Sequence, residues 1–181
     1  YINRKQKSGR GSAVIAGFKV AFKKNYNLFV EMDADFSHNP NEIKKNLNFF
    51  KKNNLDLLIS SRYLKESKIF NWSFSRRIFS FLANFLAKIL LNIGVSDYTN
   101  GFRIYSRKSV ELITKKCGNI GDGFIILSEI IIVLKNNYFK IDETETIFVN
   151  RTRGESSVNI KLILASLYGI LKLYFIKDKL N

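Results

Sequence analysis

One cysteine, one proline, one methionine, one histidine and one tryptophan occur in 181 residues. The lone thiol, Cys117, excludes an internal disulfide and any metal-type cysteine spacing, which fits a reducing compartment and an idle or buried group. The lone methionine is Met32, so the chain does not start on an initiator. Tyr1 and Ile2 read as the edge of an ordered element, an N-terminal truncation is expected, and no signal peptide is legible. Acid is also scarce, with 15 Asp+Glu against 30 Lys+Arg and a formal charge of +15. Apolar residues are abundant: 46% of the chain is hydrophobic and 14% aromatic. That excludes disorder and suffices for one substantial core in a chain the length of a single domain.

The basic excess implies an anionic partner. Nucleic acid, acidic lipid headgroups and phosphorylated substrates all qualify, while much of the excess belongs equally to a solvated face. One stretch invites comparison with a membrane span: residues 78–96, IFSFLANFLAKILLNIGVS, between Arg77 and Asp97. Lys88 falls near its middle, and Asn84 and Asn92 add polarity. A helix lying at a membrane interface is expected ahead of a buried core helix or a true span, which wants about 20 mostly apolar residues.

SGRGSAVIAGFKVAFKK, from Ser8, reads as a glycine-rich turn and a helix capped by Ser12, with Val14, Phe18, Ala21 and Phe22 at helical spacing. NLFVEM follows as a short buried strand. Asn39-Pro40-Asn41-Glu42 offers a cap, a proline at the first helical position and a Glu placed to reach back, so a helix is expected from there to Lys52. LDLLIS, from Leu55, reads as a strand, and strand, helix, strand argues a parallel α/β sheet with right-handed crossovers. Beyond a polar loop holding Trp72 and the apolar helix come a turn and strand in DYTNGFRIY, an apolar helix over residues 123–134, and an alternating strand or hairpin over residues 138–149. A C-terminal amphipathic surface helix is expected over residues 159–176. No internal repeat or linker divides the chain, so a single domain over residues 1–181 is expected.

The question is why so basic a chain concentrates acid in FVEMDADFSH. In an extended segment residues i and i+2 project to the same side, which would aim Asp33 and Asp35 at one point beyond the strand end, where open α/β sheets bind ligands. Two hard oxygen ligands suit Mg²⁺ or Mn²⁺, completed by water and diphosphate oxygens. The bland alternative makes Asp33, Asp35 and Ser37 turn and capping residues. An Asp-x-Asp phosphatase of the haloacid dehalogenase type is disfavoured, because such an enzyme needs a later pair of adjacent aspartates and this chain has none.

Seven blocks recur in order: Lys7-x-Gly9-x-Gly11 with Ala13 and Gly17-Phe18; MDADFSHNP from Met32; SSRY from Ser60; Asn71-Trp72 with Ser75-Arg76-Arg77 and Ser80; Asp97-x-Thr99-x-Gly101-Phe102-Arg103; Glu129; and Arg151-x-x-Gly154-x-Ser156. In this set the chain resembles the family-2 glycosyltransferases, specifically the dolichyl-phosphate mannose synthase and polyprenyl-phosphate glycosyltransferase branch. The resemblance implies a type-A glycosyltransferase fold, α/β with a mostly parallel sheet, whose first strands lie ahead of Tyr1, and amphipathic interfacial helices, one over residues 75–92. It implies that Asp33 and Asp35 hold Mg²⁺ or Mn²⁺, with Ser37 where some relatives place a further ligand, and that Gly9 and Gly11 flank the donor. Arg62, Arg76 or Arg77, and Ser80 match the family's phosphate-handling positions, with Arg151 and Ser156 on the acceptor phosphate and Arg103 lining the same cleft. Arg62 and Arg103 join the aspartates as catalytic candidates.

The partners implied are a nucleotide-diphosphate sugar, GDP-mannose or UDP-glucose, a polyprenyl (dolichyl or undecaprenyl) phosphate, and a membrane surface. Attachment would be peripheral, on the cytoplasmic face. The C-terminal transmembrane pairs of some relatives have no counterpart here, Ser157 stands where relatives often carry lysine, and Asn100 stands where a small residue is usual. Two other readings remain: a family-2 transferase with a polysaccharide or other hydroxyl acceptor, which would need a base, and a basic membrane-surface or nucleic-acid-binding module. Nucleic acid is set aside, because the basic residues near the motifs alternate with Asp and Gly turns rather than with stacking aromatics.

Overall fold

Leu57, Leu58 and Ile59 are fully buried and form the middle of a four-stranded sheet. The computed structural model describes residues 2–4, 9–121, 123, 125–150 and 160–180. In chain order the elements are α1 (Gly9–Phe22), β1 (Leu28–Glu31), α2 (Glu42–Lys52), β2 (Leu57–Ser61), β3 (Lys68–Phe70), α3 (Phe74–Leu91), β4 (Arg103–Ser106), α4 (Arg107–Lys116), α5 (Ile125–Asn136), β5 (Ile141–Glu145), β6 (Ile147–Val149) and α6 (Ile160–Ile176), then a 3₁₀ turn at Lys177–Lys179.

The sheet order is β1-β4-β2-β5. β4 pairs antiparallel with β1 and β2, and β2 pairs parallel with β5. Three strands therefore run one way, but β4 lies between β1 and β2 in the opposite sense, so two of the three pairings are antiparallel and the sheet is mixed. The side-chain period of two divides the strands between two layers. Leu57, Ile59 and Tyr105 face the large core built with α1, α4 and α5. Leu58 and Ile104 face a smaller cluster with Phe50, Leu55 and the underside of α2.

Several expectations change. Ser12 does not cap α1, which begins three residues earlier at Gly9; the Ser12 hydroxyl donates to the Gly9 carbonyl at 3.2 Å from inside the first turn. Glu42 does not reach back to its own helix start. It accepts from the Thr146 hydroxyl at 2.6 Å and the Ile147 N–H at 3.0 Å, tying α2 to β6. The alternating segment at 141–149 is no hairpin: β5 joins the main sheet and β6 pairs parallel with β3, a strand concealed in what reads as a polar loop. α4 has no counterpart in the sequence reading; Ser106 caps it by accepting from the Ser109 N–H.

α3 is built inside out for water. Asn84 faces inward, donating to the Ser80 carbonyl and the Thr99 hydroxyl and accepting from the Tyr98 N–H. Phe74, Phe79, Phe81, Leu82, Phe85 and Ile89 point to solvent. α6 packs alongside α3 and adds exposed Tyr168, Leu171 and Phe175. Among the described residues no helix is long and apolar enough to cross a membrane.

Candidate active site

The acid turn begins where β1 stops. After Glu31 the backbone leaves the extended form, and Phe36 adopts a left-handed φ of 63°. Asp33 and Asp35 are thus not alternate residues of a strand. Asp35 is folded back locally, its Oδ1 accepting from the Ser37 N–H at 3.1 Å and from the Ser37 hydroxyl at 2.6 Å. The Ser37 hydroxyl, itself buried, is committed to Asp35. Asp33 stays 34% exposed and pairs with Arg10 at 2.7 Å.

His38 anchors this turn from beneath. Its Nδ1 accepts the Asp33 N–H at 3.0 Å, and its Nε2 lies 3.0 Å from Asn100 Oδ1. Nδ1 as acceptor leaves the proton on Nε2, so Nε2 donates to Asn100. Asn100 Nδ2 in turn donates to the Ser60 carbonyl at the end of β2. Burial is the largest influence on His38 and outweighs the attraction of Asp33, so its pKa lies below the ordinary histidine value and the ring is held neutral.

A second cluster adjoins the first. Glu143 accepts the Ser96 N–H at 2.7 Å and the Asp97 N–H at 2.9 Å, which fixes the loop carrying Asp97. Asp97 grips Arg62 in a two-point pair at 2.8 and 2.9 Å. Burial works against both charges, yet the pairing prevails: Asp97 sits below, and Arg62 above, its ordinary pKa. Arg62 stacks near Trp72 at 5.3 Å, and Arg76, in the first turn of α3, lies 4.5 Å from the same ring. Arg76 also donates to Asn150, and the Tyr63 hydroxyl donates to Ser80 at 2.7 Å.

The sequence-derived candidates divide accordingly. Asp33 and Asp35 share the acid turn, and Arg62, Arg76 and Ser80 share the region around Trp72. Of the two adjacent arginines Arg76 is the one in this cluster, while Arg77 donates outward to the Ile69 carbonyl on β3. Two assignments are corrected. Arg103 lines no cleft: it is fully buried and donates to the carbonyls of Asn100, Leu127 and Tyr98, a bracket between β4 and α5. Gly11 is no part of a donor cradle, since a Cβ there would meet Ile126 of α5 at 3.2 Å; it is a helix-packing glycine. Gly9, at φ 76°, is the first residue of α1. Arg151 and Ser156 lie outside the described residues, as do Lys7 and Gly154.

His38, Asn100, Asp97, Trp72 and Arg10 carry this geometry without a role in the sequence reading. The available signal was their position inside or beside the quoted motifs; nothing in a linear pattern reports that a histidine supports an aspartate two turns of loop away. Among the described residues no cluster of three or more His, Cys, Asp and Glu forms a metal cage. Two partly exposed carboxylates at a sheet edge still fit a hard cation that keeps water or takes diphosphate oxygens for the rest of its shell.

These parts define an α/β sheet with an acid turn at a strand end, and comparison bears out the fold class. The solved glucosyl-3-phosphoglycerate synthase of Mycobacterium tuberculosis, in complex with UDP, has a TM-score of 0.61 to this chain at 13% identity, over 93% of this chain and 56% of that one. The fold is that of the type-A glycosyltransferases. The Glycosyl transferase family 2 model matches residues 1–114, and the chain belongs to that family. It is similar to polyprenol monophosphomannose synthase of Mycolicibacterium smegmatis, 31% identical over 169 residues, covering 93% of this chain and 63% of that protein. It is also similar to dolichol-phosphate mannosyltransferase of Pyrococcus furiosus, 37% identical over 174 residues, covering 95% of this chain and 47% of that protein. The chain therefore spans about half to just under two thirds of the length of these curated relatives.

Proposed function

We propose that the chain is the catalytic part of a polyprenyl-phosphate mannosyltransferase that works at a membrane surface. Carrying this reading most is one juxtaposition: an arginine pair stacked on Trp72 at the start of a helix whose phenylalanines face outward. Guanidinium groups suit a phosphate headgroup, and the exposed aromatic face suits the lipid that bears it. The two relatives, named for mannose transfer to polyprenol and dolichol phosphates, support the same acceptor and sugar.

Transfer consists of attack by an acceptor phosphate oxygen on the anomeric carbon of a nucleotide-diphosphate mannose. A new carbon–oxygen bond forms with inversion, the bond to the diphosphate breaks, and the nucleoside diphosphate leaves with the electron pair. A phosphate monoester has a second pKa of about 6, so the nucleophile is already largely deprotonated at neutral pH. The only histidine fits this absence of a base: its Nδ1 is taken by the Asp33 N–H and its Nε2 by Asn100. A hydroxyl acceptor would demand a base, and His38 is not available as one.

Asp33 and Asp35 would hold Mg²⁺ or Mn²⁺, which when bound supplies charge neutralisation for the leaving diphosphate. His38 and Asn100 keep the Asp33 backbone in place. Arg76 and Ser80, with Arg62 behind them, would orient the acceptor, and α3 with α6 would set the site at the depth of the headgroups on the cytoplasmic face. Membranes carrying the full-length protein, assayed in parallel with labelled GDP-mannose and UDP-glucose, should label polyprenyl phosphate from GDP-mannose only, and EDTA should abolish it. Undiminished transfer in EDTA would remove the metal, and label from UDP-glucose would change the donor.

A further inference from the structure

Arg10 is paired with the acid turn and has no part in the reading above. It lies in the first turn of α1 beside Gly9. Its Nη1 donates to Asp33 Oδ1 at 2.7 Å and its Nη2 to Glu31 Oε1 at 3.0 Å. The fork rests directly on Gly101, where an added Cβ would fall 1.7 Å from Nη2 and 2.8 Å from Cζ. Only glycine at 101 leaves room for this arrangement. Glu31 is further tethered by the Tyr105 hydroxyl at 2.7 Å, so one end of the fork is held on a fixed carboxylate while the other reaches the more exposed Asp33.

A guanidinium on Asp33 Oδ1 competes with a divalent cation for that oxygen, because it occupies a lone-pair direction there and the two positive charges repel at close range. We propose that Arg10 is the resident counter-cation of the acid turn, which a divalent ion must displace from Asp33 to bind there. This inference rests on the metal-dependent reading above and adds its regulation. It accounts for how part of the negative charge of Glu31, Asp33 and Asp35 is offset when no divalent ion is bound. It also gives the site a threshold, because apparent metal affinity is the intrinsic affinity reduced by the fraction of molecules in which the fork is off Asp33. A fork closed nine-tenths of the time lowers affinity about tenfold.

The test is Mn²⁺ binding to the full-length protein without sugar donor, followed by electron paramagnetic resonance of the free ion, for wild type, Arg10→Gln and Gly101→Ala, with folding checked by circular dichroism. Arg10→Gln removes the competing charge; Gly101→Ala keeps it and pushes the fork off its seat. Both should bind Mn²⁺ about tenfold more tightly than wild type. Unchanged or weaker binding in Arg10→Gln overturns the proposal, and so does tightening in Arg10→Gln with none in Gly101→Ala, which would leave a general charge effect without displacement. Should Arg10→Gln not fold, Gly101→Ala alone decides. If no protein, wild type included, binds Mn²⁺, the metal-dependent reading falls and takes this inference with it; loss of the tightening alone leaves that reading standing.

Discussion

The acid turn and the outer face of α3 are opposite solutions to burial. Around the turn, polar groups are sunk and paired: His38 on Asp33 and Asn100, Arg62 on Asp97, Asp97 on a loop fixed by Glu143. On α3 the one inward polar side chain, Asn84, is paired three ways, while the phenylalanines that could have filled a core lie outside, Phe74 at 79% and Phe81 at 56% exposure. A protein that only had to be stable in water would do neither, since buried ion pairs are costly to desolvate and exposed aromatics gain nothing. The contrast teaches that the first region trades stability for fixed geometry, and that the second leaves an aromatic face uncovered, which is what the proposed membrane-surface role requires.

Replacing each element should separate the two. The largest loss is expected for Asp97→Ala, which strands the buried Arg62 charge: about 3–5 kcal/mol by denaturant titration. The same pair predicts acid sensitivity. Asp97 has a depressed folded pKa, so its contribution is complete above the ordinary aspartate value and disappears as pH falls through the folded value, lowering the melting temperature below about pH 4. Asn84→Leu makes the buried positions of α3 all apolar yet should still cost about 1–3 kcal/mol, because the Tyr98 N–H loses its buried acceptor. The smallest stability effect, within about 0.5 kcal/mol, is expected for Phe81→Ser with Phe85→Ser, two surface changes. That variant should instead lose sedimentation with anionic vesicles, and a stability loss as large as that of Asn84→Leu would erase the contrast.

Apolar patterning made β1, β2 and α2 legible, because their apolar residues lie on faces that meet a neighbour, and α3 was legible from its apolar run although most of that run faces outward. The order β1-β4-β2 was not, since pairing of Phe29 with Tyr105 and of Leu58 with Ile104 joins residues far apart in the chain. β3 escaped because Lys68 and Phe70 are exposed and only the pairing with β6 makes it a strand. Within the site, the acidic pair and Arg76 could be picked from motif order. Arg103 misled because an arginine reads as a surface ligand until its N–H groups are found on three carbonyls. Arg10 and His38 needed the fold, which alone brings α1 and the 97–101 loop to the end of β1.

Most direct for the central claim is sugar transfer by full-length Asp35→Ala, measured with GDP-mannose and polyprenyl phosphate in vesicles beside its vesicle binding and circular dichroism. The account predicts a loss of at least about 100-fold in transfer, on the scale of removing a group that stabilises leaving-group charge, with fold and vesicle binding intact. Transfer at the wild-type rate by a folded, membrane-bound Asp35→Ala protein would contradict it.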